Sequence, residues 1–255
     1  HRLVVDTCGT GGDGSHTFNI STTAAFVVAG AGIPVAKHGN RSVSSSCGSA
    51  DVLKALGVNI DIAPEQVGAC IDEVGIGFLF APALHSAMKY AIGPRREIGI
   101  RTIFNALGPL TNPAGAQAQV IGVYARHLTE PLANVLNNLG SRHAFVVHGD
   151  DGLDEITTTT RTQISELVDG VVKTYTLHPK DLSIPIAQSA DLAGGTPEEN
   201  AELTLSVLNG ETGPRRDIVL LNAAAAIVAG GKAENLKAGL ALAVESIDSG
   251  RALEK

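Results

Sequence analysis

Four glycines, Gly9, Gly11, Gly12 and Gly14, crowd six positions near the start of the chain, with Asp13 among them. β-prone Leu3-Val4-Val5 leads in, and a small-residue apolar run from Thr23 to Ala31 follows and reads as a buried helix. Strand, glycine loop and helix bring backbone N–H groups against a phosphate. Glycine lets the main chain approach closely, and a helix N-terminus adds unpaired donors with a partial positive charge. A P-loop would end in Gly-Lys-Ser/Thr, and Gly12-Asp13-Gly14 has no lysine. Gly9-x-Gly11-x-x-Gly14 matches the dinucleotide fingerprint in letters, but that fingerprint wants an acidic residue about 20 positions on. No Asp or Glu occurs between Asp13 and Asp51.

Asp13 is the odd member of the loop. A carboxylate about 4 Å from a phosphate charge is unfavourable by on the order of 4 kcal/mol at an effective dielectric of about 20. A single charge-assisted hydrogen bond returns less, ~1.5–3 kcal/mol. Either a cation bridges the two, or Asp13 binds the hydroxyls of a sugar that carries the phosphates, or it only closes a turn.

A second donor-rich stretch, Lys37-His38-Gly39-Asn40-Arg41-Ser42-Val43-Ser44-Ser45, is followed by Ser49, which is placed to cap a helix over Asp51 to Leu56. Further on, Arg95-Arg96 offers the planar fork suited to a carboxylate. Asp150, Asp151, Asp154 and Glu155 put four carboxylates into six residues, which repel one another unless a hard cation or cationic substrate is present. Oxygen-only donors favour Mg²⁺ over zinc.

The elements that must position these groups alternate between strand and helix. Short apolar runs at Ile33–Ala36, Ile60–Ile62, Ile76–Phe80, Val120–Tyr124 and Ala144–Val147 read as strands, and Thr157–Thr162 and Val171–Leu177 as further ones. Helices are expected from Pro64, over Ala83–Ile92, over Thr129–Leu139 and through Pro197–Leu253, the last region without assigned chemistry. This is an α/β pattern with a central, mostly parallel sheet flanked by helices. Parallel strands joined by helices place their following loops on one edge, so the glycine loop and the Lys37 loop should meet.

With 255 residues the chain can bury a full core, built from small aliphatics because aromatics are only 4%. The net charge of −7 argues against a nucleic-acid or anionic-membrane partner, and the stretch from 14 to 50 without an acid is a local exception suited to a small polyanion. Three cysteines (Cys8, Cys47, Cys70) at unrelated spacings predict reduced thiols in a cytoplasmic protein, and no apolar run is long enough to cross a membrane. Cys8 and Cys47 are expected to be small buried hydrophobes rather than nucleophiles.

Gly9-Thr10-Gly11-Gly12-Asp13, Asn19-Ile20-Ser21-Thr22, the Lys37–Ser45 stretch, Gly48-Ser49-Ala50-Asp51, Pro94-Arg95-Arg96, Leu107–Pro113, Val147-His148-Gly149 and Asp154-Glu155 occur in one order along the chain. Together they resemble the signature motifs of the anthranilate phosphoribosyltransferase family. The resemblance implies transfer of the phosphoribosyl group from phosphoribosyl pyrophosphate to anthranilate, on the catalytic fold shared with the nucleoside phosphorylases. It implies phosphoribosyl pyrophosphate binding by Gly9, Gly12, Asp13, Thr17, Asn19, Ile20, Ser21, Thr22, Lys37, His38, Gly39, Asn40, Arg41, Ser42, Val43, Ser44, Ser45 and Ser49. Anthranilate is expected at Gly9, Asn40 and Arg95, and Mg²⁺ at Ser21, Asp154 and Glu155, with His38 the candidate proton acceptor. Residues 1–255 are expected to form one catalytic domain without the helical domain that usually precedes it, and full-length members of the family are expected to be homodimers. A pyrimidine nucleoside phosphorylase-like enzyme and a non-catalytic phosphosugar-binding module of the same fold stay open as alternatives.

Overall fold

A computed structural model describes residues 3–41, 46–84, 90, 93, 97 and 103–255. Arg95 and Ser42, Val43, Ser44 and Ser45 lie outside the described residues. Seven strands form one sheet: β1 (Val5–Gly9), β2 (Val35–Gly39), β3 (Ile76–Phe80), β4 (Ala118–Gly122), β5 (His143–Gly149), β6 (Thr162–Val168) and β7 (Val171–Leu177), in the order β3-β2-β1-β4-β5-β6-β7. The first five are parallel, and β6 and β7 are added antiparallel.

Helices cover both faces. Helix α1 (Ile20–Gly30) packs with two later helices, Pro214–Ala229 and Leu236–Asp248, on the face that carries Val5, Val35, Val120 and Phe145. Helix α2 (Ser49–Ala55) follows β2. Helix α3 (Pro64–Glu73) packs on Ala36 and Leu79, and a later helix, Thr129–Asn138, packs on Ile121, Ala144 and Val146 across the opposite face. The long alanine-rich helix works through close approach: a Cβ on Gly239 would run into the backbone of Ala224. Helix α1 connects β1 to β2 on one face, while Thr129–Asn138 connects β4 to β5 on the other. The strand order therefore reverses between β1 and β4, where α/β sheets open a crevice beyond the strand ends.

Several expected boundaries move. The first strand runs on into the motif as far as Gly9, and helix α1 begins at Ile20, so the polar Ser21 and Thr22 form its first turn. Gly48, not Ser49, precedes helix α2, with the Asp51 carboxylate accepting from the Gly48 N–H at 2.9 Å, while Ser49 Oγ donates to Asn40 O at 3.2 Å. Residues 60–62 do not form a strand. Asn59 Oδ1 accepts from the Asp61 N–H at 3.1 Å, a local turn that competes with extended pairing. Residues 157–161 also stay out of the sheet, because the hydroxyls of Thr157 and Thr159 donate to Asp151 Oδ2 and Thr162 Oγ1 accepts from the Thr157 N–H.

Candidate active site

Four parallel strands, β1, β2, β4 and β5, each end in glycine at the same edge: Gly9, Gly39, Gly122 and Gly149. Each is a place where a side chain has no room. A Cβ on Gly9 would meet the Asp154 carboxylate, on Gly122 the Asp154 backbone, on Gly39 the Ser49 hydroxyl, and on Gly149 the Asp151 carboxylate. Gly9 and Gly122 are partners in the β1–β4 register. The acidic turn after β5 thus folds back over the reversal point of the sheet, and glycine at both strand ends is what lets it lie there.

The turn lands on the glycine loop. Gly11 and Gly12 have φ of 62° and 75°, the left-handed region open to glycine, and the Gly11 N–H donates to Asp154 Oδ2 at 2.8 Å. Thr10 closes the loop on β4, with its N–H to Gly122 O at 2.9 Å and its Oγ1 accepting from the Tyr124 N–H at 3.0 Å. Burial pushes the Asp154 carboxyl up to about 7, and nearby Asp13 adds to the rise against the Gly11 bond. Glu155 is buried and held well above the usual carboxylate range, first by burial, then by Asp154 and Asp13. Lys37 and the Ser21 N–H oppose that rise.

Lys37 enters from β2. It is 2% exposed, and its Nζ donates to Thr7 O and lies 3.4 Å from Ser21 Oγ. The Thr7 hydroxyl donates to Ser21 O at 2.9 Å. Burial lowers the Lys37 ammonium from its ordinary range, while the charges of Asp6 and Glu155 hold it up. Alternation along β2 sends Lys37 and His38 to opposite faces of the sheet. Both are buried.

β1 and β2 share a single register pair, Val5 with Val35, whereas β1 shares five with β4. Side chains span the gap where the two strands part. Asp6 Oδ1 accepts from the His38 N–H at 3.0 Å, and Asn112 Nδ2 donates to Asp6 Oδ2 and to Ala36 O, each at 2.8 Å. Asp6 is fully buried, and desolvation raises its carboxyl against the pull of Lys37 and Asn112. Sequence reasoning marks neither Asp6 nor Asn112 as a site residue. Asn112 sits in the Leu107–Pro113 motif, the one signal available for it.

The structure thus brings Gly9, Gly11, Asp13, Ser21, Lys37, Asp154 and Glu155 together. Asn40 and Arg41 are exposed at the same edge, with Arg41 3.9 Å from Asp51. Ile20 and Thr22 point into the core, so only their backbones can serve a ligand. Thr17 pairs with Ala193 in an isolated bridge, and Asn19 bonds Asn200 and Cys47. Cys8 and Cys47 are buried, and burial raises both thiols, which disfavours a nucleophilic role. Among the described residues, no three His, Cys, Asp or Glu side chains surround a common metal position. Two raised carboxylates with a serine hydroxyl beside them are an oxygen donor set, and their charge strain is what a divalent cation relieves.

A sheet that reverses at β1–β4, with a phosphate-type glycine loop at the reversal, defines the class, and residues 1–253 match the model of the glycosyl transferase family, a/b domain. The anthranilate phosphoribosyltransferase of Desulfosudis oleivorans is 65% identical over 254 residues, 99% of this chain and 75% of that protein. A crystal structure of anthranilate phosphoribosyltransferase from Thermus thermophilus superposes with a TM-score of 0.94 at 47% identity, covering 99% of this chain and 75% of that one. The Saccharomyces cerevisiae enzyme in complex with PRPP and Mg gives 0.89 at 33% identity, covering 98% and 71%. The chain belongs to the anthranilate phosphoribosyltransferase family.

Proposed function

We propose that residues 1–255 form the catalytic α/β domain of a cytoplasmic enzyme that binds phosphoribosyl pyrophosphate with Mg²⁺ at this edge and transfers the phosphoribosyl group to the amine of anthranilate, releasing pyrophosphate. One observation carries the reading: the Asp154–Gly11 bond, which sets an acidic turn on a phosphate-type loop beside Lys37 and Ser21. The diphosphate lies along the Gly9–Asp13 backbone and the start of helix α1, whose positive dipole end favours an anion. Lys37, Asn40, Arg41, the Ser42–Ser45 segment and Ser49 take the remaining phosphate oxygens and the ribose. Asp154, Glu155 and Ser21 hold the metal, which supplies charge neutralisation of the leaving diphosphate.

Loss of pyrophosphate leaves an oxocarbenium-like sugar. The work of the protein is to stabilise the leaving group and align the amine, and no covalent intermediate is required. Arg95 and Asn40, with Gly9 beside them, orient the anthranilate carboxylate, and His38 accepts the proton released from the amine. The phosphorylase alternative would instead consume inorganic phosphate and nucleoside, and the relatives' names do not support it.

The test is consumption of anthranilate by the chain with phosphoribosyl pyrophosphate and Mg²⁺, and no turnover would overturn the reading. Arg95→Ala should then raise the anthranilate KM or lower kcat more than it changes the phosphoribosyl pyrophosphate KM. Equal effects would remove Arg95 from the acceptor site.

A further inference from the structure

In the helix Pro214–Ala229 every residue from Ile218 to Ala229 is buried, and Asn222 alone among them is polar. Asparagine is a weak helix former, and burying its amide without partners is costly. Here the amide is 2% exposed and well partnered. Its Oδ1 accepts from the Ile156 N–H at 2.9 Å, and its Nδ2 donates to Ile156 O and to Ile218 O, each at 2.9 Å. The bond to Ile218 stays within the helix. The other two serve both backbone groups of one residue, as a neighbouring strand does in a ladder. An apolar side chain in this place would leave the buried backbone of Ile156 unpaired, and a carboxylate would lose the donor side.

Ile156 directly follows Glu155. The arm of the turn before Asp154 is pinned as well: Leu153 O accepts from the Gly149 N–H at 2.8 Å, and the Leu153 N–H donates to Asp151 Oδ1 at 3.2 Å. Leu153 and Ile156 both belong to the main hydrophobic cluster. Asp154 and Glu155 therefore stand between two anchored residues, one tied to the end of β5 and the other to the helix Pro214–Ala229. That helix also packs along helix α1, whose first turn carries Ser21. One buried helix thereby sets the acidic turn and the serine hydroxyl in a common frame.

We propose that Asn222 is a positioning residue for the metal site: by pairing both backbone groups of Ile156, it holds Glu155 against the start of helix α1 before any ligand arrives. The proposal rests on the functional reading above and deepens it. Asn222 acts through Ile156 and not by contact with substrate. Without it, the buried backbone of Ile156 must find other partners and the turn shifts. Glu155 then leaves the place where its carboxylate accepts from the Ser21 N–H.

The variants are Asn222→Ala and Asn222→Leu, the second keeping the side-chain volume while removing the bonds. Phosphoribosyl pyrophosphate affinity is measured with Mg²⁺ by isothermal titration, together with both KM values and melting temperature, on the whole chain. The control is Ile227→Ala, fully buried in the same helix near Gly230, where a Cβ would meet Ile33 and Val5 at the end of β1 and β2 away from the site. In the Asn222 variants the phosphoribosyl pyrophosphate Kd should rise roughly five- to thirtyfold, the scale of one to two buried hydrogen bonds, with the anthranilate KM within about twofold. Ile227→Ala should lower the melting temperature comparably and keep the Kd within about twofold of the parent. In the parent without ligand, hydrogen exchange at the Ile156 amide should already be slow.

A Kd unchanged in both Asn222 variants, or raised as much by Ile227→Ala, would overturn the proposal. If the Asn222 variants do not fold, exchange in the parent decides instead: an Ile156 amide that exchanges freely until substrate and Mg²⁺ are added overturns it. A parent chain that binds the substrate without turnover would sink the functional reading and leave the Kd comparison standing. A parent that does not bind it would sink both.

Discussion

A carboxylate held up to about 7, as Asp154 is, makes the acidic turn sensitive to ordinary changes of pH. In the unfolded chain this group ionises near 3.8, while in the folded chain it keeps its proton to about 7. Between those values the folded state binds more protons, so stability falls as pH rises through the window and stays low above it. The melting temperature of the metal-free chain should therefore drop between pH 5 and pH 8, and Asp154→Asn should flatten that drop. A melt that rises over the same range would show the burial argument wrong. Gly122 tests the geometry of the same turn. A Cβ there meets the Asp154 backbone, so Gly122→Ala should fold with a penalty of about 1–3 kcal/mol, read by denaturant titration. It should also abolish Mg²⁺-dependent substrate binding by pushing the turn off the loop. Retained binding would mean that the turn is not part of the site.

The parting of β1 and β2 is the feature that matters at the scale of elements. Beyond the one register pair, Asp6 with Asn112 takes the place of ladder bonds, bridging β1 to β2 and satisfying the backbone of β2. Asn112→Ala removes two bonds of 2.8 Å and leaves the Asp6 carboxylate short of a partner, a loss of about 2–4 kcal/mol by the usual worth of bonds to a buried charge. The expected result is a raised phosphoribosyl pyrophosphate KM along with a lower melting temperature. An unchanged KM would reduce the pair to a structural role. Sequence reading can reach Lys37, Asp154 and the glycine loop because each lies in a dense local pattern. It cannot assign Asp6, which looks like one residue of a strand, because its meaning comes from a side chain 106 positions away. Asn222 stands 66 positions from Ile156 in a helix with no other chemistry, so nothing local marks it. The strand expectations that fail, at residues 60–62 and 157–161, fall where Asn59 and the threonine hydroxyls capture backbone or carboxylate groups. A propensity count assigns those same groups to a ladder.

The site draws on nearly the full span of the chain: the loop after β1, the end of β2, Asn112, the end of β4, the turn after β5 and Asn222. One hydrophobic cluster, running from Val5 to Ala252, holds most of these segments to a common frame. A ligand bound here ties together elements that would otherwise separate early in unfolding, so its effect belongs to the whole molecule and not to one loop. Substrate at about 100 times its Kd adds about 2.7 kcal/mol to stability, which for a domain of this size is roughly 5–10 °C in melting temperature. The acidic turn makes that shift conditional. Without a divalent cation the acidic turn gives the incoming diphosphate no opposite charge, since Asp13, Asp154 and Glu155 bring none, and in a protein of net charge −7 no long-range attraction offsets that. Phosphoribosyl pyrophosphate in the presence of a chelator should therefore move the melt by a small fraction of the shift seen with Mg²⁺. Melts of the four combinations, with neither, either or both, decide the matter. An equal shift with and without the metal would place the diphosphate away from the acidic turn and undo the arrangement proposed for the site.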